Sequence, residues 1–220
     1  MERNSNQANL IHIINGQSLR LLSEKAILWE EEKALILADL HLGKISHFRK
    51  NGIAVPIDAE MENFERFSML LLNNEVEVVY ILGDLFHSHH NNQWHLFKNL
   101  LGQFSHVVFH LIIGNHDILP VEEYRAENLI LHNDEFIIKG FIFTHFPIDS
   151  SAHFNICGHI HPGVKMVGKG RQSLRFPCYY ISEKQLILPA FGAFTGLHIM
   201  EVNENNSIYI VSENEVINLC

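Results

Sequence analysis

The sequence predicts an α/β fold. Six short apolar runs, each unbroken and bounded by turn residues, have the pattern of strands buried on both faces: Ala34–Ala38, Val76–Leu82, Val107–Ile113, Phe141–Phe143, Phe154–Cys157 and Leu186–Ala190. Two segments between the first three runs carry apolar residues at helical spacing instead. The order strand, helix, strand, helix, strand implies parallel strands joined by crossovers.

Taken along the chain, residues 1–9 are polar and are expected to fray, leaving one domain over 10–220. The first helical segment, Asp58–Leu72, sets Met61, Phe64, Phe67, Ser68 and Leu71 at helical spacing. The second, Asn92–Phe104, places Trp94, Phe97, Leu100 and Leu101 on one side. From Leu129 onward the apolar runs lie closer together, which predicts a second half made mostly of strands. No repeat, low-complexity tract or long Pro/Gly/Ser linker divides the chain.

With 220 residues, 47% of them hydrophobic and 19% charged, the chain is long enough to bury a full core. No apolar run reaches the length that spans a bilayer, and the opening Met-Glu-Arg-Asn-Ser-Asn-Gln has no apolar signal core. A cytoplasmic protein is expected, with no membrane partner. Cys157, Cys178 and Cys220 have no framework spacing and read as free thiols in a reduced compartment. The net charge of −9 excludes a broad basic face for nucleic acid.

The residues that follow the strands carry the functional signal. Ala34–Ala38 ends in Asp39-Leu40-His41, Val76–Leu82 in Gly83-Asp84, and Val107–Ile113 in Gly114-Asn115-His116-Asp117. Phe141–Phe143 is followed by Thr144-His145, and Phe154–Cys157 by Gly158-His159-Ile160-His161. Alone, Asp-x-His after a strand is compatible with a turn, and Gly-Asp with any loop. The last segment reads as extended, with both imidazoles on one side. Five strands in succession that release metal-binding residue types at their C-terminal ends are a different matter, because ligand sites form at that edge of parallel sheets.

Phosphoryl transfer needs such residues. Two ions roughly 3.5–4 Å apart clamp the attacking and leaving oxygens of an in-line displacement. A carboxylate has the lone pairs to bridge them, whereas an imidazole nitrogen binds one ion only. Two dications set against two carboxylates and a hydroxide leave about one net positive charge, which suits a phosphodiester monoanion. A neutral Asn115 preserves that charge where an Asp would cancel it.

The ordered set Asp39/His41, Asp84, Asn115/His116, His145 and His159/His161 resembles the calcineurin-like metallophosphoesterases. The resemblance implies a pair of facing β-sheets flanked by helices. It implies that Asp39, His41 and His161 hold a first ion, that Asn115, His145 and His159 hold a second, and that Asp84 lies between them. His116 is then the residue that contacts the scissile phosphate and protonates the leaving oxygen.

A narrower likeness runs through Leu37–Lys44, His47–Lys50, Gly52–Pro56, Gly83–Ser88, Gly114–Leu119 and Cys157–Pro162. These stretches are similar to the bacterial ligase-associated DNA-damage-response phosphoesterases, a family to which endonuclease activity is attributed. That likeness implies a phosphodiesterase or nuclease acting on DNA, usually with manganese, with iron or zinc as alternatives. It also implies a functional link to a DNA ligase and a helicase in DNA repair.

Residues outside the ligand set have two readings each. His87 resembles a phosphate-contacting residue of double-strand-break repair nucleases, or is a loop histidine beside His89 and His90. Lys44, Arg49 and Lys50 follow the first motif, and Lys165, Lys169, Arg171 and Arg175 the last; they form either a basic margin for a polyanion or a solvated face. Asp117 either orients His116 or caps a turn. Cys157 ends a buried strand and reads as packing. Rival functions are a small-molecule phosphoesterase and, in another class, a binding module that kept the fold, as the phosphoesterase-like retromer subunit did. A structural zinc protein would need Cys clusters that are missing.

Overall fold

The computed structural model describes residues 10–45, 58–87, 92–149 and 152–219, with side chains at all of these except 58–60, 92 and 171. The N-terminal residues 1–9, His89, His90 and the stretch containing His47, Arg49 and Lys50 lie outside the described residues. Seven strands form the first sheet in sequence order: β1 (Leu10–Ile14), β2 (Gln17–Leu21), β3 (Ile27–Trp29), β4 (Ala34–Leu37), β5 (Val78–Leu82), β6 (Val108–Ile112) and β7 (Leu129–His132). β1 to β4 form an antiparallel meander, and β4 to β7 are parallel. Among the described residues, α1 (Asp58–Asn73) lies between β4 and β5 and α2 (Asn92–Gln103) between β5 and β6, as the crossovers.

The second sheet takes its strands from the rest of the chain: β8 (Glu135–Ile138), β9 (Phe141–Thr144), β10 (Phe154–Cys157), β11 (Pro162–Val167), β12 (Ser173–Ile181), β13 (Gln185–Ile187), β14 (His198–Ile199), β15 (Ser207–Val211) and β16 (Val216–Asn218). Its order is β14-β11-β12-β13-β10-β9-β8, with β15 beside β12 and β16 beside β15. β9, β10 and β13 are parallel within it.

Alternation along the strands of the first sheet explains why both faces are apolar. Leu35, Leu37, Val79, Ile81, Phe109 and Leu111 point to the helices, where they meet Phe64, Phe67, Leu71, Trp94, Phe97 and Leu101. Their neighbours Ala34, Ile36, Tyr80, Leu82 and Ile112 point the other way, against Phe141, Phe143, Ile156, Tyr179 and Leu186 of the second sheet. The result is an α/β sandwich of helices, sheet and sheet. Burying each of these larger side chains is worth roughly 1.5–3 kcal/mol. Met61, placed on the helical stripe by its spacing, is instead 45% exposed at the start of α1.

This topology divides the five motif-bearing strands, β4, β5 and β6 in one sheet and β9 and β10 in the other. The C-terminal ends of both parallel stacks open at the same edge of the sandwich. Backbone bonds stitch the loops there. Asp39 N–H donates to Gly83 O, His41 N–H to Asp84 O, and Gly158 N–H to His145 O. Between the sheets, Phe191 N–H donates to Ala38 O and Gly192 N–H to Asp39 O.

Candidate metal centre

Three donor atoms converge in each of two clusters at this edge, one of Asp39, His41 and His161 and one of Asp84, His145 and His159, every atom within 4.8 Å of the others in its cluster. In the first, His161 Nε2 lies 3.3 Å from Asp39 Oδ1 and 3.3 Å from His41 Nε2. In the second, His145 Nε2 lies 3.5 Å from Asp84 Oδ1, 3.2 Å from His159 Nδ1 and 3.0 Å from Asn115 Oδ1. Asp84 touches both, since its Oδ2 is 3.8 Å from His41 Nε2. Asp39, His41, Asp84 and His145 are buried and form the floor, while Asn115, His116, His87, His159 and His161 rise toward solvent.

The backbone is forced into this arrangement. Asp39, His41, Asp84, His159 and His161 all have positive φ, between 48° and 67°. Such residues cost of order 1–3 kcal/mol each and persist where surrounding contacts over-determine them. Here the loop-to-loop bonds do so, and the sharp reversal at each strand end turns the side chain back over the sheet edge. The expectation of an extended Gly158–His161 with both imidazoles on one side is therefore corrected. The chain kinks at both histidines, and their rings turn into different clusters.

Two glycines are needed for the same compactness. A Cβ on Gly83, itself at φ 79°, would lie 2.3 Å from the ring nitrogen Nδ1 of His145. A Cβ on Gly114 would lie 2.4 Å from Asp84 Oδ1. Either addition would push a cluster residue out of place.

Protonation suits a cation. His145 Nδ1–H donates to Leu82 O at 3.0 Å, which turns its Nε2 toward the oxygens of Asp84 and Asn115. Oxygen and nitrogen donor atoms that converge in this way are those a divalent ion takes. Asp39 Oδ1 is buried without a hydrogen-bond donor, as a waiting ligand atom is. Burial, helped by the neighbouring Lys44 charge, pushes His41 down to about 2, and burial lowers His159 too. Both rings are neutral and able to ligate at ordinary pH. The donor set fits divalent metal in both clusters.

His116 holds the centre through its backbone, whose N–H donates to Asp84 Oδ1 at 2.9 Å. Its ring stacks on His87 at 5.1 Å and meets the ring of His41 at 5.4 Å. Asp117 does not orient that ring. Its carboxylate accepts N–H bonds from Gly114 at 2.9 Å and Phe86 at 3.1 Å, so it caps the turn and ties the loops after β5 and β6 together. Burial pushes it up to about 7. A catalytic place for Asp117 is thereby replaced by a positioning one. Cys157 is buried and its thiol is pushed upward by desolvation, which leaves it inert as packing.

Lys44 lies close enough to Asp39 and Asp84 for their charges to act on it. Arg49, Lys50 and the side chain of Arg171 lie outside the described residues. Two supports were not visible in the sequence. Arg66 of α1 donates to Phe191 O and covers the Phe191 ring at 4.3 Å, and Asn63 Oδ1 accepts from Ala193 N–H at 3.2 Å. Through the 191–193 loop they brace Asp39. Their only sequence signal was a polar side chain on the buried stripe of a helix.

A sequence profile of the calcineurin-like phosphoesterases matches residues 33–208. Among solved structures, a nuclease MPE of Pseudomonas putida is similar, with a TM-score of 0.80 and 28% identity over 96% of this chain and 100% of that one. No curated protein sequence matches the chain. Both clusters lie within the matched span, and the chain belongs to the calcineurin-like phosphoesterase family, as a metal-dependent hydrolase of phosphoric esters.

Proposed function

We propose that the protein hydrolyses phosphodiesters of nucleic acid, DNA first, with two divalent ions. Asp39, His41 and His161 hold one, Asn115, His145 and His159 hold the other, and Asp84 is shared. The observation that carries this reading is Asp84 itself, with Oδ2 3.8 Å from His41 Nε2 and Oδ1 3.5 Å from His145 Nε2. When bound, the ions polarise the phosphoryl oxygens and lower the pKa of the attacking water. Manganese is the leading candidate, and iron or zinc suits the same oxygen and nitrogen donors.

The chain's own residues do the rest. The amide of His116 fixes the shared carboxylate, and its ring, on the solvent side, protonates the leaving oxygen. His87, stacked on that ring, limits its rotation and faces the phosphate. Lys44 adds positive charge near Asp39 and Asp84. A site of about one net positive charge favours a diester monoanion over a monoester dianion.

Two observations support nucleic acid. The similar Pseudomonas putida protein is a nuclease. Directly after His161, the hairpin of β11 and β12 carries Lys165, Lys169, Arg171 and Arg175 with no carboxylate from 165 to 175, in a chain of net charge −9. Lys165 and Arg175 are paired across the two strands. Like charges opposed in an antiparallel ladder destabilise it, and a phosphate between them would reverse that effect.

The test strips the protein of metal and resupplies manganese, iron or zinc singly. We expect activity on bis-p-nitrophenyl phosphate and DNA to return, with the diester cleaved faster than p-nitrophenyl phosphate. His116→Ala should keep two ions per chain and lose roughly 10²–10⁴ in turnover. Faster cleavage of the monoester, or a His116→Ala protein without ions, would overturn the reading.

A further inference from the structure

Phe146 directly follows His145, yet its side chain is 46% exposed. Its ring lies 4.4 Å from that of His159 and 4.8 Å from that of His145, so it forms the outer wall of the second cluster. An exposed aromatic ring beside a polar site gains nothing from solvent, and the backbone that presents this one is held by hydrogen bonds. Thr144 Oγ1 donates to Phe146 O at 2.6 Å and accepts from Asn155 Nδ2 at 2.8 Å. Asn155 is fully buried, and its Oδ1 accepts the Ile148 N–H at 3.1 Å. A buried asparagine thus pins both ends of the short turn that presents the ring.

We infer that Phe146 is a stacking platform for a nucleobase next to the scissile phosphate, which makes it a residue that selects nucleotide-containing diesters. The inference rests on the phosphodiesterase reading above. A phosphate held at the clusters leaves the adjoining sugar and base to extend over their rim, and Phe146 supplies an apolar face there. Base-on-aromatic stacking accepts any base, and a ring carried on a held backbone has only its two side-chain torsions to lose on binding. Recognition of this kind gives affinity for nucleotide without sequence preference.

The experiment compares two diesters with the same leaving group, thymidine 5′-(p-nitrophenyl) phosphate and methyl p-nitrophenyl phosphate, on the manganese-loaded full chain. The readout is the ratio of their kcat/KM values. Phe146→Ala should lower that ratio about tenfold, the scale of one lost stacking contact, and Phe146→Trp should keep or raise it. Phe146→Leu retains apolar cover over His159 without a π face, so it should also lower the ratio. It also serves if the alanine variant loses an ion. An unchanged ratio in Phe146→Leu, with the parent protein active on both diesters, overturns the inference alone. A parent protein inactive on both overturns the phosphodiesterase reading and this inference with it.

Discussion

Beside Asp84 the buried ligand ring of His145 is oriented by a backbone hydrogen bond, whereas beside Asp39 the buried ligand ring of His41 is oriented by packing. His145 is locked by Leu82 O, and the Asp84 oxygen facing it is held by the His116 amide. His41 has no such tether. Its Nδ1 is buried without a partner, and its ring is wedged by His87, His116 and His161 at 5.2–5.5 Å. Asp39 Oδ2 accepts the His159 N–H at 2.9 Å, but its Oδ1 is without a donor. The His145 ring is thus arranged before an ion arrives, while the first cluster carries a buried carboxylate oxygen, Asp39 Oδ1, that an ion would satisfy. Outer-shell tethers of this kind typically change metal affinity by about 10–100-fold.

Asp84→Asn should have the largest effect, because Asp84 belongs to both sides of the comparison. An amide can offer one oxygen, not two, and the site loses a negative charge. We expect turnover on bis-p-nitrophenyl phosphate to fall more than about 100-fold, beyond the range of an outer-shell change. Elemental analysis should find both ions weakened. If one ion remains at parent affinity, Asp84 serves a single cluster.

A metal titration separates the clusters more finely. The tethered cluster should fill first, roughly tenfold or more tighter than the other. His145→Ala should abolish the tight phase and His41→Ala the weak one, as followed by calorimetry with manganese. Equal affinities would mean that the Leu82 tether does not matter.

Much of this centre was legible because its residues follow uninterrupted apolar strands. β4, β5, β6, β9 and β10 lie where the runs predict, and the residues after each meet at one edge. What was not legible depends on loop geometry. Alternation along a strand suggested that His159 and His161 share a side, but positive φ at both undoes that rule. Asp117 was legible as a capping type, but not that its carboxylate reaches Phe86 across 31 positions of sequence. The opening meander β1 to β3 escaped notice because the edge strand β1 is half exposed, β2 mixes Gln, Ser and Arg with apolar residues, and β3 is only three residues long. Its Asn15-Gly16 turn, both residues at positive φ, was the available signal.

The smallest effect should come from Asp117, and it tests whether the two clusters are mechanically separate. Asp117 is 6% exposed and binds the amides of Gly114 and Phe86, which belong to the loops carrying Asn115 and Asp84. Asp117→Ala leaves two buried N–H groups without acceptors, at about 1–3 kcal/mol each before relaxation. We expect a stability loss of roughly 2–4 kcal/mol, or a melting temperature lower by about 5–15 °C for a chain of this length. No ligand is removed, so both ions should still bind at high manganese. Because the loosened loops carry Asn115 and one Asp84 oxygen, the tethered cluster should lose about tenfold in affinity. The Asp39 cluster, braced by Arg66 and Asn63 through the 191–193 loop, should lose less. A titration in which both affinities fall together would show that the strand-end loops move as one unit. The contrast between hydrogen-bonded and packed ligands would then have no functional weight.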